Sequence, residues 1–349
     1  MRHFRFSFLV ALLGLVLAGW WGYSQAGAAG ALEAVGIAAI LGIMEISLSF
    51  DNAIVNASIL KSWDKFWQEI FLTVGMLIAV FGMRLLFPLL IVAFAADISL
   101  LDVWSLAIKH PDQYALHLTD HHAEVAVFGG MFLLLVFLNF LLDDEKELHW
   151  LGRIEGKIAA FGKVASIAVM IAIATLLLSL TMVEQSRQLA VLIAGLWGIL
   201  TYVAVDVVSS ILEMEEENPK IGDMIKRGGV GGFLYLEVLD ASFSFDGVIG
   251  ALAITKDIVI IMIGLSIGAM FVRSMTVYLV RKGTLDKFVF LEHGAHYAIG
   301  ILAMIMLASM KFHIPELFTG LIGVAFILAA LWSSVLYKRN KAEMPFSGE

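Results

Sequence analysis

The chain of 349 residues is 60% hydrophobic and only 15% charged, with a mean hydropathy of +0.90; ordinary soluble domains are about 25% charged, so this is a polytopic membrane protein. It has no Cys, which excludes disulfides, thiolate metal sites and cysteine nucleophiles and leaves the compartment open. The net charge of −8 comes without a polybasic block, so nothing points to nucleic acid.

A spanning helix needs about 20 mostly apolar residues. Ten such segments are predicted, at roughly 6–27, 31–60, 68–96, 123–142, 158–180, 189–212, 230–255, 257–281, 295–311 and 315–337. The first also has the marks of a signal peptide: Arg2 and Arg5 before an apolar run, then small residues near Ala26-Gly27-Ala28. Retention is favoured because this segment completes a repeat; cleavage would leave nine spans. With the N-terminus inside, the inner segments collect seventeen Lys and Arg, and the outer side only Lys109, Arg187, Lys256 and Lys311. That asymmetry predicts that both termini are cytoplasmic.

The second span carries Glu45-Ile-Ser-Leu-Ser-Phe-Asp51-Asn52-Ala53, and the seventh carries Asp240-Ala-Ser-Phe-Ser-Phe-Asp246-Gly247-Val248. Glu45, Ser49, Asn52 and Asn56 fall on one helical stripe, repeated by Asp240, Ser244, Gly247 and Ala251. The likeness continues downstream, where Gly75–Arg84 parallels Gly264–Arg273, and His121-His122-Ala123 parallels Glu292-His293-Gly294. Three colinear matches with gaps in loops argue for two homologous halves, 1–180 and 181–349. Five spans in each half force opposite orientations. The predicted fold is therefore all-α, about ten transmembrane helices arranged as two inverted five-helix repeats.

One ionised carboxylate at a helix centre costs about 2.5–3.5 kcal/mol. Glu45, Asp51, Asp240 and Asp246 together would cost on the order of 10 kcal/mol if left alone. Pairing with Arg84 and Arg273, protonation, water or a bound cation must offset that. The bland alternative is two Asp–Arg pairs that merely hold helices together. Four carboxylates against two arginines favour a cation, and the neighbouring donors are all oxygens, which suits Mg²⁺, Ca²⁺ or Mn²⁺ better than Zn²⁺ or Cu²⁺. A helix break near Ser-Phe-Asp would let Asp51 and Asp246 converge. Burial favours proton binding when metal leaves, so metal/proton exchange is a reasonable coupling.

Other polar features carry less. The loop from Asp97 to His122 holds His110, His117, His121 and His122 beside acidic residues, in no defined metal-site spacing, and is read chiefly as solvated surface. Glu237 precedes Asp240 by three residues and either lines the pathway or faces cytoplasmic water. Asp206 lacks an evident partner, His293 and His296 begin the ninth span, and Glu213–Glu217 reads as a cytoplasmic loop. No P-loop, HExxH helix or GxSxG elbow appears, so an ATP-driven pump or a membrane hydrolase has no support and no enzyme activity is expected.

The stretches EISLSFDNA (45–53), FGMR (81–84), YLEVLDASFSFDGVIGA (235–251) and LEHGAH (291–296) resemble the TerC-like integral membrane proteins, more narrowly a bacterial branch of that group, within the LysE-type transporter superfamily. The resemblance implies a bacterial cytoplasmic-membrane protein that exports a divalent metal, manganese above all. Other members are associated with tellurium resistance or membrane-protein assembly. It makes Glu45, Asp51, Asn52, Asp240 and Asp246 the metal-handling positions, with Ser49, Ser244, Arg84, Arg273, Glu237 and Asn56 in support. This chain departs from the pattern in having Gly247 opposite Asn52, Asp240 opposite Glu45, and a long outer loop. The expected partners are the bilayer, divalent cations and protons, with room for a homo-oligomer or membrane-protein partners. Two rivals stand beside export of a divalent cation: an assembly or stress-resistance factor acting through its cytoplasmic loops, and an oxyanion or organic-solute exporter using Arg84 and Arg273.

Overall fold

The computed structural model describes residues 4–75, 77–96, 98–144, 146, 148–160, 166–212, 228–282, 288–312 and 314–343, which are helical with no strand among them. In chain order the helices are α1 (Arg5–Leu48), α2 (Phe50–Leu60), α3 (Lys65–Ile70), two π-helical segments (Phe71–Gly75 and Ile78–Leu86), α4 (Phe87–Ala96), α5 (Leu100–Lys109), α6 (Pro111–Asp120), α7 (His122–Leu141), α8 (Arg153–Ala159), α9 (Ile167–Ser179), α10 (Gln188–Leu212), α11 (Val230–Ile254), α12 (Ile258–Lys282), α13 (Leu291–Ser309) and α14 (Glu316–Glu343). Six are long and apolar enough to cross a membrane: α1, α7, α12, α13, and the stretches Gln188–Val205 of α10 and Phe318–Arg339 of α14. Large apolar side chains such as Leu12, Trp20, Leu32, Leu178, Trp197 and Trp332 point outward. A helical bundle that is apolar outside as well as inside is a membrane protein.

Of the remaining predicted spans, 230–255 agrees with the structure and 31–60, 68–96 and 158–180 differ, the last holding only the end of α8 and the 13-residue α9, with 161–165 outside the described residues. Segment 31–60 is divided between α1 and α2, and segment 68–96 is assembled from α3, π-helical turns and α4. Segment 230–255 is the single helix α11, which carries Glu237, Asp240 and Asp246. α1 is itself two limbs. Ala26 and Gly27 leave helical geometry, Gly27 at φ 64°, a region that favours glycine. The limbs fold back on each other so closely that a Cβ on Gly22 would lie 2.2 Å from the carbonyl oxygen of Gly30.

Two apolar cores hold the bundle. One surrounds α7, where Val127, Met131, Phe132 and Leu135 meet Leu236 and Leu239 of α11 and Ile299 and Met306 of α13. The other lies where α1 packs on α12 through Ala34, Ala38, Leu41, Ile261 and Leu265. Gly264 and Gly268 of α12 form a small-xxx-small ridge that lets α1 approach, a common solution where lipid supplies no hydrophobic drive between helices. The stretch predicted as a solvated outer loop is instead α5 and α6, whose Val103, Ala107, Tyr114 and Leu118 enter the second core. Its histidines alternate with an apolar face that a reading by polarity overlooked.

Side chains also tie the helix ends together. Trp21 Nε1 donates to Asp257 Oδ2 at 2.8 Å, joining the α1 turn to the α11–α12 junction. Arg187 Nη2 donates to Glu124 Oε1 at 3.1 Å, and Lys256 pairs with Asp112. At the opposite end, Trp63 sits against Gly228 and Gly232 at the start of α11.

Candidate functional site

Glu45 stands in the last turn of α1 and is 2% exposed. Ser49 Oγ donates to its Oε1 at 2.9 Å, and Arg84 Nη2 donates to the same oxygen. Arg84 comes from the second π-helical segment and its Nη1 donates to the Ala79 carbonyl at 2.8 Å. Two glycines give the carboxylate its space. A Cβ on Gly268 would lie 2.4 Å from Glu45 Cβ, and one on Gly247 would lie 2.9 Å from Glu45 Oε2. Gly247, read from sequence as a departure from the first motif, is the clearance that the first motif's carboxylate uses.

The second motif's leading acid is held from the first motif. Asp240 Oδ1 accepts from the side-chain amides of Asn52 and Asn56, the latter at 3.2 Å. Position 45 thus meets 247 while position 52 meets 240, so the two motif helices cross antiparallel. Beside this crossing is a cavity of about 30 Å³, bordered by Asn52, Asn56, Leu72, Arg84, Asp240 and Arg273. That is room for about two waters or one ion stripped of most of its shell. Arg273 reaches it from α12 and its Nε donates to the Leu72 carbonyl at 2.6 Å.

Several predicted members remain. Ser244 Oγ is buried without a hydrogen-bond partner among the described residues. Glu237 is 5% exposed, and neither of its carboxylate oxygens has such a partner. Its Oε1 lies 2.4 Å from where a Cβ on Gly75 would be, so glycine is what admits it. The backbones of Asp51 and Asp246 are helical, but their side chains, with that of Asp206 and the whole of Glu213–Glu217, lie outside the described residues. Among the described residues no group of three or more His, Asp or Glu is arranged to hold a metal, the histidines of the 97–122 segment included. The predicted helix break is found in the first motif alone, as a one-residue distortion at Ser49 (φ −96°, ψ 16°) that keeps the Ser49 N–H to Glu45 carbonyl bond. α11 runs through its motif unbroken, and Gly247 within it leaves room for Glu45. Nothing in the residue pattern signals the π-helical turns. Such turns recur at functional sites, and here they precede Pro88, whose missing N–H already loosens the ladder.

A second buried polar cluster sits at one end of the bundle. Glu155 of α8 accepts from Lys146 Nζ at 2.8 Å and from the Leu151 N–H at 3.1 Å, with His293 Nε2 3.6 Å away. Burial works to raise the Glu155 pKa, but the hydrogen bonds from Lys146 and Leu151 and the nearby Lys146 and His293 charges outweigh it and lower it. Lys146 Nζ also lies 4.0 Å over the Phe140 ring, on which His296 stacks. His293 and His296 therefore belong to this cluster, which docks the segment after α7 onto α13.

These features define an integral membrane protein with a polar site among its helices. The chain belongs to the family described as protein of unknown function DUF475, whose model matches residues 50–341. No curated protein and no solved structure matches. DUF475 is a different family from TerC, so the resemblance drawn from the short motifs is not upheld. Carboxylates, hydroxyls and amides at helical spacing are what any buried polar site in a membrane bundle needs, so such motifs specify chemistry better than ancestry. The preference for manganese and the link to tellurium resistance rested on that resemblance and fall with it.

Proposed function

We propose that this protein is a secondary transporter that exports a divalent cation through the cavity between its two acidic motifs. The observation that carries the reading is the crossed contact: amides of the first motif hold Asp240 of the second, while Glu45 of the first lies against Gly247 of the second. Antiparallel motif helices are what two inverted halves would produce, and ion sites of such transporters lie at the repeat interface. Pairing of helix ends through Trp21–Asp257 and Trp63–Gly228 supports ten crossings with the two halves at 1–180 and 181–349. Oxygen donors favour Mg²⁺, Ca²⁺ or Mn²⁺. Asp240, with Asp51 and Asp246 from the same motifs, would supply charge, and Asn52, Asn56 and Ser244 neutral oxygens. Glu45 is bound to Arg84 and would enter only when that pair opens. The positive-inside asymmetry supports both termini on the inner side of the membrane.

Whole-cell element analysis tests this reading in cells expressing the wild type or the Asp51→Asn/Asp246→Asn variant under graded Mn²⁺, Mg²⁺ or Ca²⁺ load. Export predicts a fall in one element with the wild type alone. Equal contents, with both proteins confirmed in the membrane, would sink it. One observation favours a second reading, an anion exporter: both Arg84 and Arg273 border the cavity. It predicts that Arg273→Lys changes which anion is moved, because the planar guanidinium fork is lost.

A further inference from the structure

We propose that Arg84 is a tethered counter-ion shared between the two motif acids Glu45 and Asp240, and that a divalent cation bound at Asp240 drives it wholly onto Glu45. The inference rests on the transport reading and adds how the unloaded site is kept neutral. Among the described residues bordering the cavity, the charged ones are Arg84, Asp240 and Arg273. Two fixed cations and one acid would make a poor wall for a doubly charged guest unless one of the cations can be withdrawn. Arg84 has a place to withdraw to. Its Nη2 donates to Glu45, which does not itself border the cavity.

Glu45 is built as a seat for that guanidinium. Ser49 Oγ donates to the same carboxylate oxygen at 2.9 Å. Gly268 leaves room for its Cβ and Cγ, and Gly247 lies against Oε2. Asp240 is close enough for its charge to act on Arg84 as well. It is held by neutral donors of α2, the amides of Asn52 and Asn56, which both take Oδ1. A buried carboxylate that keeps its charge is stabilised much further by a cation. Arg84 Nε is buried with no partner among the described residues, so the seat on Glu45 leaves one guanidinium donor unused. A group with a spare donor and a second acid within reach of its charge is held less firmly than one whose donors are all taken. Arg273 is the contrast: its Nε is tied to the Leu72 carbonyl at 2.6 Å, and the charge that acts on it is that of Arg281.

One guanidinium cannot neutralise two acids, so Glu45, Arg84 and Asp240 together are short of positive charge. A cation at Asp240 makes up the shortfall, and its repulsion then favours the seat on Glu45. Once the cation departs, Arg84 turns part of its charge to Asp240. The carrier therefore holds a substitute for its own substrate, and Glu45 acts as the anchor of that substitute rather than as a ligand.

The test measures Mn²⁺ binding by full-length protein in lipid nanodiscs, counting only binding that Asp240→Asn removes. Glu45→Gln takes away the seat and leaves Arg84 to Asp240, so affinity should fall about tenfold or more. Adding Arg84→Met should restore it to at least the wild-type value, because Asp240 then has no competitor. Unchanged affinity in Glu45→Gln would overturn the proposal. So would a Glu45→Gln/Arg84→Met protein that binds more weakly than wild type, which would make Glu45 a ligand. This double variant strands no arginine and decides alone if Glu45→Gln does not fold. A metal-free comparison is the second readout. Glu45→Gln should lower the unfolding temperature more in an Asp240→Asn background than in wild type, since only wild type offers Arg84 another acid. Equal losses would also overturn the proposal. A wild type that binds no Mn²⁺, Mg²⁺ or Ca²⁺, or binds them in a way that Asp240→Asn leaves intact, would instead remove the transport reading. The unfolding comparison would still decide the role of Arg84.

Discussion

Glu155 and Glu237 are both buried carboxylates, and their surroundings could hardly differ more. Glu155 is met by an ammonium, a backbone N–H and a histidine ring. Glu237 lies against Gly75, which itself sits beside the Phe71 and Phe233 rings. Burial alone therefore says little about what an acid does in this protein. A fully partnered carboxylate fixes one segment to another; an unpartnered one makes no such tie. Glu45 lies between these extremes, with a serine, an arginine and two glycines arranged around it.

The comparison can be broken at each point. Lys146→Met should have the largest effect, about 3–5 kcal/mol of stability lost, because it strands Glu155 without its cation. Thermal unfolding in detergent would measure it, and Lys146→Met/Glu155→Leu should recover most of the loss. Arg84→Met should cost about 3 kcal/mol by the same mechanism, with Glu45→Met as the compensating partner. If Arg84→Met is harmless, Glu45 is not ionised in the resting bundle and its kinship with Glu155 fails. Asn56→Ala should cost about 1.5 kcal/mol by withdrawing one donor from Asp240, with a matching loss of affinity for whichever cation binds. Glu237→Gln should change stability less than Asn56→Ala, since it withdraws no hydrogen bond found among the described residues; a loss of several kcal/mol would mean that Glu237 is ionised and paired.

The smallest effect concerns pH. Glu155 has a folded pKa below its ordinary value of 4.5. Its contribution is therefore fully present above the ordinary carboxylate range and is lost as pH falls through the lower folded value. Wild type should lose stability faster on acidification in that window than Glu155→Gln, measured as the slope of unfolding temperature against pH.

Much of the site was legible because spacing on a helix is geometry. The stripe Glu45, Ser49, Asn52 and Asn56 does share a face: Ser49 reaches Glu45, and both asparagines reach Asp240. Arg84 was expected to balance a carboxylate and does so at Glu45. Pairings between distant segments were not legible. Nothing in the pattern around Glu155 announces that Lys146 and His293 surround it, nor does the histidine-rich stretch after Asp97 reveal the buried Tyr114 and Leu118. The π-helical turns escaped for a different reason. Hydrophobic periodicity at 3.6 residues is too coarse to register one surplus residue in a nine-residue segment.

That surplus has a mechanical meaning. A π turn is an α-helix with one residue more than its ladder needs, so the chain from Ile78 to Leu86 holds slack that its neighbours lack. Moving the slack past Arg84 would rotate the guanidinium by about 100° around the helix axis and advance it by about 1.5 Å. Its grip on Glu45 would then be released while the ends of the helix stayed in place.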